Sequence, residues 1–133
     1  MTISMAGLPA FILYFCVGFA LIAGFAAVYM RLTNHDEIAL IRGGNLSAAL
    51  AFGGNLIGFS VPLETAIEQA ASIPDLVIWA VIAMVVQFGA YGFARVVIPD
   101  LSRKIEEDRI PSAAMLAVIA VISGTLAAAS MTL

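Results

Sequence analysis

The sequence predicts an all-α membrane protein, with four transmembrane helices built as two parallel-repeat helical hairpins in a single polytopic membrane domain over residues 1–133. Composition is the first reason. Of the 133 residues 62% are hydrophobic and 11% charged, with a mean hydropathy of +1.06, whereas soluble domains are about a quarter charged and under half apolar. The placement of charge is the second. Charged residues clump, leaving uncharged runs over residues 1–30, 43–63, 76–94 and 110–133, each near the roughly 20 apolar helical residues that cross a hydrocarbon core of about 30 Å. The third is a weak internal repetition. Gly24-Phe25-Ala26-Ala27-Val28 recurs as Gly92-Phe93-Ala94-Arg95-Val96, and Ser47-Ala48-Ala49-Leu50 as Ser112-Ala113-Ala114-Met115, in the same order in each half, as in a parallel duplication.

The expected spans are 8–30, 43–68, 76–98 and 111–132. The first has no Lys or Arg before Arg31, and its apolar stretch exceeds the roughly 7–15 residues of a signal-peptide core; it reads as a retained span. In the first connection, Thr33, Asn34, His35, Asp36 and Glu37 carry the Thr-x-x-Asp spacing of a capping box. A helix starting there is expected to run through Ile38, Ile41 and Arg42 into the second span, with Pro62 as a kink or a stop near its far end. The connection around Pro74 is short and makes spans two and three a tight hairpin. The third connection, residues 99–111, holds Asp100, Arg103, Lys104, Glu106, Glu107, Asp108 and Arg109 and is the strongly charged stretch of the chain.

Orientation follows from Lys and Arg, which favour the cytoplasmic side of short loops. Arg31, Arg42, Arg95, Arg103, Lys104 and Arg109 all fall on the face of loops one and three. Both termini are therefore expected in the periplasm. Glu64, Glu68 and Asp75 form the only charge on the outer face, either solvated helix ends or an acidic rim that draws cations when subunits gather.

Several function classes drop out. One cysteine, Cys16, and one histidine, His35, supply no disulfide framework, zinc cluster or Cys/His nucleophile pair, and the His35-Asp36-Glu37 run resembles a metal cluster only superficially. The glycines form no phosphate-cradling loop and the basic residues are too scattered for a nucleic-acid face. No catalytic residue, metal site or cofactor is expected. What remains is polar or small side chains inside an apolar chain. Ser47, Ala51, Gly54 and Gly58 share one stripe of span two, with Asn55 at its edge, and Cys16, Ala20, Gly24 and Ala120, Gly124, Ala128 form comparable faces on spans one and four. Such faces let membrane helices approach closely, within a bundle or between copies; a Gly-rich broken helix forming a binding site is the alternative. Asn55, Gln87, Tyr91 and Ser123 form a candidate intramembrane polar layer, read as interhelical glue or as the lining of a path for an ion or small solute. On the cytoplasmic face, His35, Glu37, Arg42, Arg103 and Lys104 are a candidate network, in which Glu37 pairs with Arg103 or Lys104, and Arg42 with Glu106, Glu107 or Asp108, to lock the two hairpins together.

The string Thr33-x-His35-x-Glu37, then Leu40-Ile41-Arg42, Asn45-x-Ser47-Ala48-x-Leu50-Ala51-Phe52-x-Gly54-x-Leu56-x-Gly58 and Pro62-Leu63, resembles the YjfL-type small inner-membrane proteins of bacteria, and Ile73-Pro74-Asp75, Gln87 and Pro99-x-Leu101-Ser102-x-Lys104-Ile105 continue the likeness. The resemblance implies two copies of a two-helix unit in the inner membrane and carries no reaction, substrate or catalytic residue. Two function classes are therefore expected. The chain is either a non-enzymatic homo-oligomeric scaffold or envelope component in the lipid bilayer, docking a cytoplasmic protein partner through loops one and three, or a channel or transporter subunit with a polar path between its helices.

Overall fold

The computed structural model describes residues 4–133, in which a short helix separates the two long helices of each half: α1 (Ser4–Leu32), α2 (Glu37–Arg42), α3 (Leu46–Gln69), α4 (Ile73–Val97), α5 (Leu101–Glu106) and α6 (Ile110–Ser130). The four long helices are long and apolar enough to cross a membrane, over Met5–Leu32, Leu46–Gln69, Ile73–Val97 and Ile110–Ser130.

Local chemistry corrects the expected first connection. Thr33 is not the cap of a new helix, because its N–H still bonds Tyr29 O at 3.1 Å and so completes the last turn of α1. Asp36 caps α2 instead, its Oδ1 accepting from Ala39 N at 3.1 Å. Nor does α2 run on into the second span. Gly44, at φ +89, turns the chain, and the N–H groups of Gly43, Gly44 and Asn45 bond Ala39 O, Ile41 O and Leu40 O at 2.9–3.0 Å. Asn45 then caps α3, accepting from Ala48 N at 2.8 Å. The second charged connection is built alike. Behind α5, Glu107, Asp108 and Arg109 donate to Arg103 O, Ile105 O and Lys104 O at 2.8–2.9 Å, with Asp108 at φ 56.

Pro62 lies buried inside α3, which continues to Gln69, so it is not the stop. Between α3 and α4, Ser72 Oγ accepts from Asp75 N at 3.3 Å while Asp75 Oδ2 accepts from Ala71 N at 3.0 Å, a reciprocal cap that makes the hairpin tight.

The centre of the bundle is the seam between α3 and α6, which run in the same direction with Gly54 against Ala117, and Gly58 against Ala120 and Gly124. A Cβ on Gly58 would lie 2.5 Å from Ala120 O and 2.7 Å from Gln87 Nε2, so only glycine lets the backbones meet there. The predicted stripe Ser47, Ala51, Gly54 and Gly58 and the face Ala120, Gly124 and Ala128 are all buried within this one chain. Helix α4 packs on the seam through Ala80, Ala83, Gln87, Tyr91 and Ala94. Helix α1 is held mainly at its loop end, where Phe25 stacks on Phe59 and Phe88 at centroid distances of 4.6 and 5.1 Å. Its other half exposes Phe11, Phe15 and Phe19, and Cys16, Ala20 and Gly24 face outward as well.

Candidate functional site

Polar chemistry gathers where the two short helices meet. Helix α5 buries Leu101 and Ile105, and that anchoring places three polar links across the hairpins. Ser102 Oγ lies 3.1 Å from His35 Nδ1, Asn45 Nδ2 donates to Ile105 O at 2.8 Å, and Asp108 Oδ1 accepts from Ser47 N at 2.9 Å. Asn45 therefore serves both ends of its amide, capping α3 with its oxygen and clasping α5 with its nitrogen. The bond from Ser47 N holds the Asp108 carboxyl below the usual carboxylate range.

Beneath the clasp lies a buried cluster. Glu37 is 1% exposed, His35 5% and Thr33 7%. The Thr33 hydroxyl donates to Glu37 Oε1, and His35 Nε2 stands 3.5 Å from the same oxygen. The Nε2 edge of the imidazole therefore faces the Glu37 carboxyl group and the Nδ1 edge faces the Ser102 hydroxyl. Burial pushes the His35 imidazole below its ordinary value, and the nearby carboxylates of Glu37 and Glu106 pull it back in part. Deeper in the bundle, Tyr29 and Tyr91 meet edge to face at 5.4 Å, Asn55 Nδ2 donates to Tyr29 Oη at 3.3 Å and to Ala51 O at 2.8 Å, and the Arg95 guanidinium sits 5.9 Å above the Tyr91 ring. Among the described residues, four buried side-chain polar atoms have no partner: His35 Nε2, Tyr91 Oη, Gln87 Oε1 and Ser47 Oγ.

The sequence-derived candidates fall into three groups. Of the cytoplasmic network, His35 and Glu37 are together and buried, while Arg42 and Arg103 are exposed. The expected pairs are not made: among the described residues no ion pair joins Glu37 to Arg103 or Lys104, or Arg42 to Glu106, Glu107 or Asp108. Arg103 pairs with Asp100 at 3.1 Å and approaches Glu107 at 4.0 Å, and Arg109 pairs with Glu107 at 3.3 Å. The hairpins meet through neutral donors, because Glu37 opens α2 facing the bundle whereas Arg103 lies on the solvent side of α5. Of the intramembrane layer, Asn55, Gln87 and Tyr91 are buried and Ser123 is half-buried, and Gln87 Nε2 donates to Ala120 O at 3.1 Å. Asn55 and Gln87 bond the neighbouring backbone and Tyr29 rather than each other. At the opposite end, Glu64 and Glu68 are exposed and Asp75 is engaged in its cap.

Tyr29, Ser102, Asn45 and Asp108 carry contacts that the sequence reading passed over. Tyr29 had a signal in its spacing, four residues before Thr33 on the same helix face. No cluster of three or more His, Cys, Asp or Glu able to hold a metal occurs among the described residues. A polar cleft of about 330 Å³, lined by Asn34, Arg95, Asp100, Ser102, Arg103 and Glu106, opens above the buried cluster, and Ser102 is the residue the two share.

Comparison with known proteins agrees with this architecture. The chain is 38% identical over 125 residues to the UPF0719 inner membrane protein YjfL of Escherichia coli strain K12, covering 94% of this chain and 95% of that protein. The corresponding protein of Escherichia coli O157:H7 matches to the same extent. No solved structure matches. The family model described as Domain of Unknown Function (DUF350) matches residues 2–131, and the chain belongs to that family.

Proposed function

We propose that the chain is a non-catalytic integral protein of the bacterial inner membrane, working as a homo-oligomeric scaffold whose clasped loop end faces the cytoplasm and docks a protein partner there. The observation that carries this reading is how the intramembrane polar groups are used. Asn55 and Gln87 donate to Ala51 O and Ala120 O, and the α3–α6 seam closes to backbone contact at Gly58 and Gly124, the chemistry of a rigid packed bundle. The relatives' printed name supports the inner-membrane placement. The shared hydrogen-bond pattern behind α2 and α5 supports descent of the two hairpins from one duplicated unit. For assembly, α1 presents the small-residue face Cys16, Ala20 and Gly24 outward with nothing within 4 Å of a Cβ on Gly24.

A second reading, a conducting path, draws on the unpartnered Gln87 Oε1 and Tyr91 Oη, which water would satisfy. Purified protein in liposomes separates the two. The scaffold reading expects an oligomeric native mass and no flux of alkali cations or protons above protein-free vesicles; flux above that background overturns it.

A further inference from the structure

Glu37 presents a physical problem that packing alone does not solve. Its carboxyl group is 1% exposed, and an isolated buried carboxylate is costly unless a positive charge or a proton compensates it. Tyr29 of α1 and Tyr91 of α4 face it, Thr33 and His35 of the connection stand against its Oε1, and Ser102 and Glu106 of α5 lie beside His35; α3, which also packs on α2, brings no charged side chain in its first turn. None is a lysine or arginine, and the Arg95 guanidinium sits over the Tyr91 ring, 5.9 Å from its centroid. Hydroxyl donors stabilise a carboxylate without balancing its charge. The one group here able to carry a proton against it is His35, whose Nε2 stands 3.5 Å from Oε1 and has no hydrogen-bond partner. A second unpartnered atom, Tyr91 Oη, is buried in the same cluster.

We propose that Glu37 and His35 form a buried proton-binding site, a pair that holds one proton at neutral pH and is therefore electrically neutral inside the loop end of the bundle. The proton is the ligand, and Ser102 connects its occupancy to α5 and hence to the second hairpin. Losing the proton leaves one negative charge facing Tyr29, Tyr91 and Glu106. The energetic response is to open the cluster toward water through the polar cleft above Ser102. The site thus couples local proton activity to the clasp between hairpins, independently of whether the chain oligomerises or conducts.

His35 is the only histidine in the chain, so nitrogen NMR of histidine-labelled protein in lipid reads its protonation and tautomer without a variant. Infrared difference spectra across pH, with Glu37→Gln to assign the band, read the carboxyl group; Thr33→Val, which removes the hydroxyl donor, is the second variant and is expected to shift the same band if Glu37→Gln does not fold. The expected result at neutral pH is one proton on the pair, as imidazolium with carboxylate or as imidazole with carboxylic acid, unchanged when sodium and potassium are replaced by choline. A neutral imidazole beside an ionised Glu37 overturns the proposal, as does a protonation state that follows alkali-cation concentration instead of pH.

Discussion

At the scale of single residues, the consequence of burying a lone imidazole is a defined pH dependence. Burial holds the His35 imidazole below its ordinary value of about 6.5, so beyond the one proton that the pair shares with Glu37 the folded chain takes up a further proton less readily than the unfolded one. Stability from this residue is fully present above about pH 6.5 and is lost as pH falls through the lower folded value. His35→Gln is expected to flatten that acid limb in a steric-trapping or denaturant titration in detergent; an unchanged limb would place the dependence elsewhere. The two buried amides make a second contrast. Asn55 supplies Tyr29 Oη and Ala51 O, and its replacement by Leu takes away the hydrogen bond that Tyr29 Oη now accepts, at an expected cost of about 1–3 kcal/mol. Gln87→Leu removes one bond to Ala120 O but also an acceptor that had no partner, so its cost is expected below about 1 kcal/mol. The same titration ranks the two, and equal costs would refute the distinction. His35 and Glu37 stood out in the sequence because charged and imidazole groups are rare in this chain. Their partners did not, since a tyrosine on an apolar helix and a serine in a charged loop are legible only once tertiary packing brings them together. Complementary charge on two loops says which groups attract; the register of α2 and α5 decides which ones meet.

At the scale of elements, the four spans were legible because hydrocarbon thickness and composition suffice to place them. The two short helices were not, because the signal that ends them is a backbone conformation. Gly43-Gly44-Asn45 falls in the expected second span, 43–68, as a continuation of the helix before it; in the fold Gly44 takes φ +89 and separates a six-residue helix from the span behind it. Loop three achieves the same turn with Asp108 at φ 56, a left-handed conformation that Asp tolerates better than branched residues. Gly44→Val is therefore expected to destabilise the fold by about 1–2 kcal/mol, while Asp108→Asn, which keeps an acceptor for Ser47 N and tolerates the same backbone, is expected to stay near wild type. Asp108→Val loses both properties. Thermal unfolding of the three proteins in detergent tests the order, and a Gly44→Val protein as stable as wild type would show that the turn is not required.

At the scale of the whole molecule, the distribution of small residues separates folding from assembly. Before packing is known, small faces on spans one, two and four look equivalent, and any of them suits a seam between copies. The fold makes them unequal. Gly54, Gly58 and Gly124 lie where α3 and α6 touch within one chain, and a side chain at any of them collides with the neighbouring helix. Ala20 and Gly24 on α1 are exposed, with open space beyond Gly24. In a bilayer, lipid covers such a face as readily as protein does, so association there rests on close packing between helices. Leucine substitution therefore has two distinct expected outcomes. Gly58→Leu forces the central seam apart, and its overpacking and backbone displacement cost at least the roughly 1–3 kcal/mol typical of filled cores; the protein is expected to lose helical protection and to aggregate or be degraded. Gly24→Leu leaves the seam, the stacking of Phe25 on Phe59 and the His35–Glu37 cluster in place, so the monomer is expected to fold with wild-type stability while its native mass in mild detergent falls. Circular dichroism with native mass spectrometry reads both quantities on each variant. A Gly24→Leu protein that keeps the wild-type mass removes α1 as the assembly face, and a Gly58→Leu protein that folds normally but dissociates would return the glycine seam to that role.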